Sequence, residues 1–381
     1  MESPGSFVIP AQRRERLLVR KKVHMEGPSR FWMLLFDRLK MPSAEPVVSQ
    51  LPAVATAVER LEVQSAFFEQ FLIQNVCTTA DLGDYFGGVG RCDAFRQRLS
   101  DSGRVLRQVN VAADVDSPLA KECHSRLQFP GLSSKDTGTL TVSSFESPSA
   151  EDLQLIGGAD VLMISVVLPE CDSELVERIL TAVQSLAATV FPAESEPALL
   201  VTAFRGVHCP APSPLEYGLD EGLLQVPAWY RHSKVAAGRF QTVCGSFDLL
   251  PSILGILARG SGEAVAPEHL SAEDVEPGFS GTRQLFAAEL LDIVNSDRML
   301  RLKGDGWTGL RTQQYLLVVN APSEKEEFAA EEPLLQLYLK PDDYWNVNNV
   351  IVSYGEIARL MLEASENAED GAGHSDVDAQ G

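Results

Sequence analysis

Three apolar runs constrain what this chain can become. Phe31-Trp-Met-Leu-Leu-Phe36, Asp160–Val167 and Ala198–Thr202 lack polar alternation, so each reads as a strand covered on both faces. Between the last two lies Ser173–Thr189, whose Leu175, Val176, Ile179, Leu180, Val183 and Leu186 fall on one helical face. Strands alternating with helices in this way imply an α/β fold, a mostly parallel central sheet with helices on both faces. Parallel strands present site residues at their carboxyl ends. Here those ends carry Asp37 and Arg38 after the first run, and Phe204 and Arg205 after the third.

The rest of the chain divides around that core. Residues 1–30 read as an N-terminal arm, broken by Pro4, Gly5, Pro10, Gly27 and Pro28. Residues 31–260 form the α/β core. Within it, 50–75 carries Val54, Val58, Leu61, Phe68, Phe71 and Leu72 near helical period, and Asp93–Ser102 reads as a helix followed by a strand at Arg104–Val111. The stretch 114–158 is rich in Ser, Gly and Pro and low in periodicity. Val226–Arg231 reads as a strand and Leu249–Ala258 as a helix. After a linker at Gly260–Gly281, residues 261–365 form a small C-terminal sheet-and-helix lobe. Its strands are expected at 285–291, 307–319 and 334–340, and its helix at Tyr354–Ala364. The tail, 366–381, bears acids and no Lys or Arg and is expected to be disordered.

Charge excludes some functions. A net charge of −21 argues against nucleic acid, whose phosphates need a basic surface. The basic cluster Arg13–Lys22 is the exception, and reads as a solvated arm. No apolar run is long enough for a transmembrane helix, and charge interrupts the N-terminus where a signal peptide would need an apolar stretch. A cytoplasmic protein is therefore expected, its 6 cysteines reduced and without zinc-type spacing.

Several segments, in order, resemble the sulfatase branch of the alkaline-phosphatase superfamily. Phe31–Lys40 is similar to the family's first strand, which ends in paired Asp ligands; Asp37 fits the first, and Arg38 occupies the second. Cys77-Thr-Thr-Ala-Asp-Leu-Gly-Asp-Tyr-Phe-Gly87 resembles the nucleophile segment Cys-x-Pro-Ser-Arg with its following helix and Gly, except that Thr79 replaces Pro and Asp81 replaces Arg. Ala198–Gly206 resembles the Thr-Ser-Asp-His-Gly strand end, with Phe204 and Arg205 at the Asp and His positions. Asp220–Pro227, Phe247–Leu254, Arg311–Val318 and Leu337–Asp343 match later family segments. Lys121-Glu-Cys-His124 is similar to the Lys-x-His element with one residue too many, and reads as coincidence.

The resemblance implies a site built for metal-assisted displacement and then dismantled. Family members hold a divalent cation with several carboxylates and attack with a formylglycine made from the Cys or Ser. Of the ligand positions only Asp37 is retained, so no metal and no cofactor is expected. Without Pro and Arg, Cys77 stays a thiol at a vestigial nucleophile position, and Asp81 should raise its pKa. The expected function is a degenerate sulfatase-like domain, catalytically inactive, acting as a protein-interaction or anion-binding module. Asp37, Arg38 and Arg205 would line its vestigial pocket, the guanidiniums standing in for the lost metal charge. A small anion or an unidentified protein partner would bind there. The alternative is an active sulfuric- or phosphoric-ester hydrolase with a non-standard metal site. It would hold a divalent cation such as calcium through Asp220, Asp248 or residues of 114–158. A third reading is a thiol enzyme using Cys77 with a remote His; no local base supports it.

Overall fold

The computed structural model describes residues 29–39, 61, 63–168, 173–192, 196–206, 221–232, 237–240, 243–260, 299–320, 334–340, 342–343 and 346–370. Residues 1–28 with the basic cluster, the linker to 281, the strand expected at 285–291 and the tail beyond 370 lie outside them.

The elements follow in order. Strand β1 is Phe31–Arg38, β2 Ala66–Phe68 and β3 Phe71–Leu72; helix α1 is Leu82–Tyr85 and α2 Val89–Asp101. Next come β4 (Leu106–Ala112), α3 (Pro118–Arg126), β5 (Thr137–Thr141), α4 (Val142–Glu146), α5 (Ala150–Gly157) and β6 (Val161–Val167). Then follow α6 (Ser173–Val190), β7 (Ala198–Arg205), α7 (Glu221–Leu224), β8 (Ala228–Arg231), β9 (Gly238–Phe240), β10 (Cys244–Gly245) and α8 (Leu249–Gly260). The C-terminal part holds β11 (Leu300–Gly304), β12 (Trp307–Arg311), β13 (Tyr315–Asn320), β14 (Leu334–Leu339) and α9 (Gly355–Asp370).

The main sheet has 8 strands in the order β5-β4-β6-β1-β7-β8-β2-β9. β5, β4, β6, β1 and β7 run parallel, while β8 is antiparallel to both β7 and β2. β1 is central because all its residues from Phe31 to Phe36 are buried, as an uninterrupted apolar run demands. Neighbouring side chains leave a strand on opposite faces. Phe31 stacks near Tyr230 (6.4 Å) while Trp32 meets Phe191, just beyond α6, edge-on at 5.7 Å, so both faces of β1 are covered. The helices pack in two groups, α2 with α8 and α4 with α6.

A second sheet of 4 antiparallel strands runs β11-β12-β13-β14. One face (Leu302, Trp307, Leu316, Val318, Tyr338) packs on Leu72, Leu224 and Val243 of the main body. The other (Leu310, Leu317, Leu337) takes Ala358 and Met361 of α9. The small sheet is thus clamped between the main body and the last helix.

Two readings need correction, and one segment is newly resolved into elements. The helix expected over 50–75 does not run to its end: residues 61, 63 and 64 are helical, but Ala66–Phe68 and Phe71–Leu72 are short strands joined by a turn at Glu69–Gln70. The spacing of Phe68, Phe71 and Leu72 imitates helical period because two apolar strand ends flank that turn, and aromatic residues favour the sheet. The run 307–319 is a hairpin, broken at Thr312–Gln314, and its partner β11 carried no signal that was read. Residues 114–158, unreadable by periodicity, hold α3, β5, α4 and α5, with Ser117, Thr141 and Ser149 capping the three helices.

Candidate functional site

The carboxyl ends of β1 and β7 lie side by side, with Arg38 in register with Arg205. Asp37 is largely buried, and Arg38, mostly in solvent, brings Nε to 3.4 Å from its carboxylate. Burial pushes the Asp37 carboxyl above the usual carboxylate range; Arg38, Arg205 and Arg126 pull it back. Arg126 comes from the last turn of α3, a helix opened by the Ser117 cap with Pro118 at its start. One turn earlier Cys123 also feels Asp37 and Arg38, and burial raises its thiol first of all. Three guanidiniums from β1, α3 and β7 therefore act on one buried carboxylate.

A shared acceptor ties the arginines together. Arg126 Nη1 donates to the Thr78 carbonyl at 3.0 Å, and Arg205 Nη2 donates to the same oxygen at 3.1 Å and to Ala80 at 3.4 Å. Arg126 Nη2 also reaches Glu122 at 3.0 Å. Underneath, Gln108 of β4 fixes the end of α3. Its amide donates to the Leu127 carbonyl (2.7 Å), Ser165 (3.0 Å) and Asn110 (2.9 Å), and its oxygen accepts from Phe129 N–H (2.8 Å).

Cys77 lies in the loop before α1, not at a helix N-terminus; the cap of α1 is Asp81, whose side chain accepts from Asp84 N–H at 3.0 Å. Its thiol is raised, as expected, but not by Asp81. Burial is the main cause, and the charge of Asp305, a residue of the β11–β12 turn, is the next. The same carboxylate accepts from Thr78 N–H at 3.0 Å. Lys303 continues the link, its carbonyl accepting from Val76 N–H (2.8 Å) and its own N–H donating to Gln74 (2.7 Å).

Phe204 fills the space where β7 ends. It is buried, and its ring lies 5.6 Å from that of Tyr85. Arg205 Cζ sits 5.3 Å from the Phe204 ring. Lys121 pairs with Asp116 at 3.3 Å on the surface, while His124 is half-buried with its pKa lowered by burial. Asp248 is buried, its carboxylate accepting from Gly245 N–H at 2.8 Å where the turn into α8 begins. His208, Cys209 and Asp220 lie outside the described residues.

The structure thus brings Asp37, Arg38 and Arg205 together and sets Cys77 at the edge, joined to them through Thr78. Sequence reading missed Arg126, Cys123 and Asp305. The Ser117-Pro118 pair was a usable signal for α3, and hence for the first two. Nothing local marks Asp305.

Solved structures decide the fold. Ps i-CgsB in complex with k-i-k-neocarrahexaose is matched with a TM-score of 0.57 at 12% identity, over 90% of this chain and 92% of that one. The putative sulfatase yidJ from Bacteroides fragilis gives 0.57 at 11%, over 92% and 97%. A protein in the alkaline phosphatase superfamily from Vibrio parahaemolyticus gives 0.50 at 10%, over 96% and 97%. The fold is sulfatase-like. No family model matches the chain, and no curated protein does.

Among the described residues, the donors around Asp37 do not fit the divalent cation that the resemblance implies. A hard cation of that kind takes about six oxygen ligands. Around Asp37 stand guanidiniums and a thiol instead, and an aromatic ring occupies the end of β7. Among the described residues, no group of three or more His, Cys, Asp or Glu is placed to hold a metal. Nor is any described helix long and apolar enough to cross a membrane.

Proposed function

We propose that this chain is a degenerate sulfatase-like domain that holds a small oxyanion at its strand ends without turning it over. A sulfate, phosphate or carboxylate group, free or displayed by a protein partner, is the ligand this chemistry suits. The observation that carries the reading is that Arg38, 3.4 Å from Asp37, stands in register with Arg205, which shares the Thr78 carbonyl with Arg126, where the family resemblance implies a cation. Guanidiniums match the planar, forked geometry of oxyanions better than any other side chain. The carboxylate keeps the cluster folded in the absence of ligand, at the cost of repelling the ligand when it arrives. The working unit is residues 31–260, with 261–365 as a sublobe. A reducing, cytoplasmic setting belongs to the same proposal, since Cys77, Cys92, Cys123 and Cys244 are all free thiols.

Asp37 separates this reading from the hydrolase. Calorimetry of the full chain with inorganic sulfate is expected to show binding, tightened roughly threefold to tenfold by Asp37→Asn, because one repelling charge leaves a partly buried cluster. Turnover of an aryl sulfate or aryl phosphate by the wild-type chain, lost in the same variant, would establish the hydrolase instead.

A pH series gives a second expectation. The groups acting on Asp37 are the guanidiniums of Arg38, Arg205 and Arg126, with the thiol of Cys123, itself raised by burial, alongside. As pH falls through the raised pKa of Asp37, the carboxylate takes a proton and the cluster gains one unit of positive charge. Sulfate keeps both its charges there, so its affinity should rise on acidification and the rise should vanish in Asp37→Asn. Affinity independent of pH in the wild type would remove Asp37 from the pocket.

A further inference from the structure

The site is not completed by the main sheet alone. Thr78 supplies the carbonyl that receives both Arg126 and Arg205, and its own N–H is held by Asp305 at 3.0 Å. Asp305 sits in the turn between β11 and β12, followed by Gly306 with φ +77°, a conformation that glycine adopts without strain and that makes the turn tight. The turn is anchored beside the loop, because Lys303 pairs with Asn75 in a parallel bridge and exchanges backbone hydrogen bonds with Gln74 and Val76. One exposed carboxylate thus holds the Thr78 N–H, the amide that joins Thr78 to Cys77.

We propose that Asp305 is a positioning residue through which the second sheet shapes the oxyanion site, fixing the Thr78 carbonyl between Arg126 and Arg205 and setting a carboxylate beside Cys77. The proposal rests on the anion reading for its effect on affinity, but its effect on Cys77 is independent of that reading. That carboxylate lies 3.0 Å from the amide nitrogen joining Cys77 to Thr78, so its charge disfavours the Cys77 thiolate. In the folded chain the residue at the nucleophile position is therefore held in its unreactive state from a different sheet.

The test uses the full-length chain and two variants. Asp305→Asn keeps an oxygen that can accept from Thr78 and removes the charge; Asp305→Ala removes both. Iodoacetamide labelling, followed at Cys77 by peptide mass spectrometry over a pH series, should show the alkylation midpoint of Asp305→Asn moved to lower pH than wild type. Calorimetry with inorganic sulfate should show Asp305→Asn binding at least as tightly as wild type, because a nearby negative charge is gone. Asp305→Ala should bind about threefold to tenfold more weakly than Asp305→Asn, the scale of one lost positioning hydrogen bond. A Cys77 profile in Asp305→Asn that superimposes on wild type overturns the proposal. So does equal sulfate affinity in the two variants when the wild-type chain binds sulfate. Should the wild-type chain bind no sulfate, the anion reading falls alone, and the Cys77 profile still decides the role of Asp305.

Discussion

Arg205→Ala is expected to weaken sulfate binding by about tenfold to a hundredfold, measured by calorimetry at neutral pH and low salt. Arg205 is the best-placed of the three guanidiniums. It is held on the end of a strand buried from Ala198 to Phe204, its Nη2 is oriented by two carbonyls, and its plane is supported by Phe204. A hydrogen bond to a charged partner contributes about 1.5–3 kcal/mol, and each 1.4 kcal/mol is a factor of ten in affinity. Arg38 offers a useful contrast. Its side chain is 62% exposed, so removing it should cost less, in keeping with the small worth of solvent-exposed pairs. Raising the salt should weaken the wild type and shrink the difference between the two variants. If Arg205→Ala bound sulfate as tightly as the wild type, the pocket would have to lie elsewhere.

The second large effect is on stability. Trp32→Ala should destabilise the chain by about 3–5 kcal/mol, read from the shift of the urea midpoint by circular dichroism. Trp32 is fully buried on the central strand, in register with Leu162 and Leu199 and edge-on to Phe191. Alanine would leave a cavity between β1 and the end of α6 that a parallel sheet cannot close by sliding, since its register is fixed on both sides. Its indole Nε1 has no hydrogen-bond partner among the described residues. Trp32→Phe, which removes that donor and keeps a ring, should therefore cost much less than alanine. Equal losses for the two variants would mean that packing against Phe191 is not what the indole contributes.

What the sequence displayed and what it hid divide along physical lines. β1, β6 and β7 were legible because a strand covered on both faces must be apolar throughout, and such runs are rare in short segments. The strand-end residues came with them: once β7 is placed, Phe204 and Arg205 can only stand at its carboxyl end. Arg126 and Cys123 were hidden because α3 buries only Ala120, leaving no apolar stripe to announce a helix. The cap and proline at its start were its only clear marks. β2 and β3 were misread because period alone cannot separate a helix from two short strands around a turn. Asp305 could not be found locally at all, since its contact with Thr78 spans 227 residues of chain.

That separation has a consequence for synthesis. A chain emerging from its N-terminus would assemble β1, α3 and β7 long before the β11–β12 turn exists. Until Asp305 arrives, Thr78 lacks the carboxylate that holds its amide, and the arginines lack a fixed common acceptor. On the proposed reading, the site is complete only once the second sheet has been made, so oxyanion binding at these strand ends would distinguish a chain that carries Asp305 from a shorter nascent one.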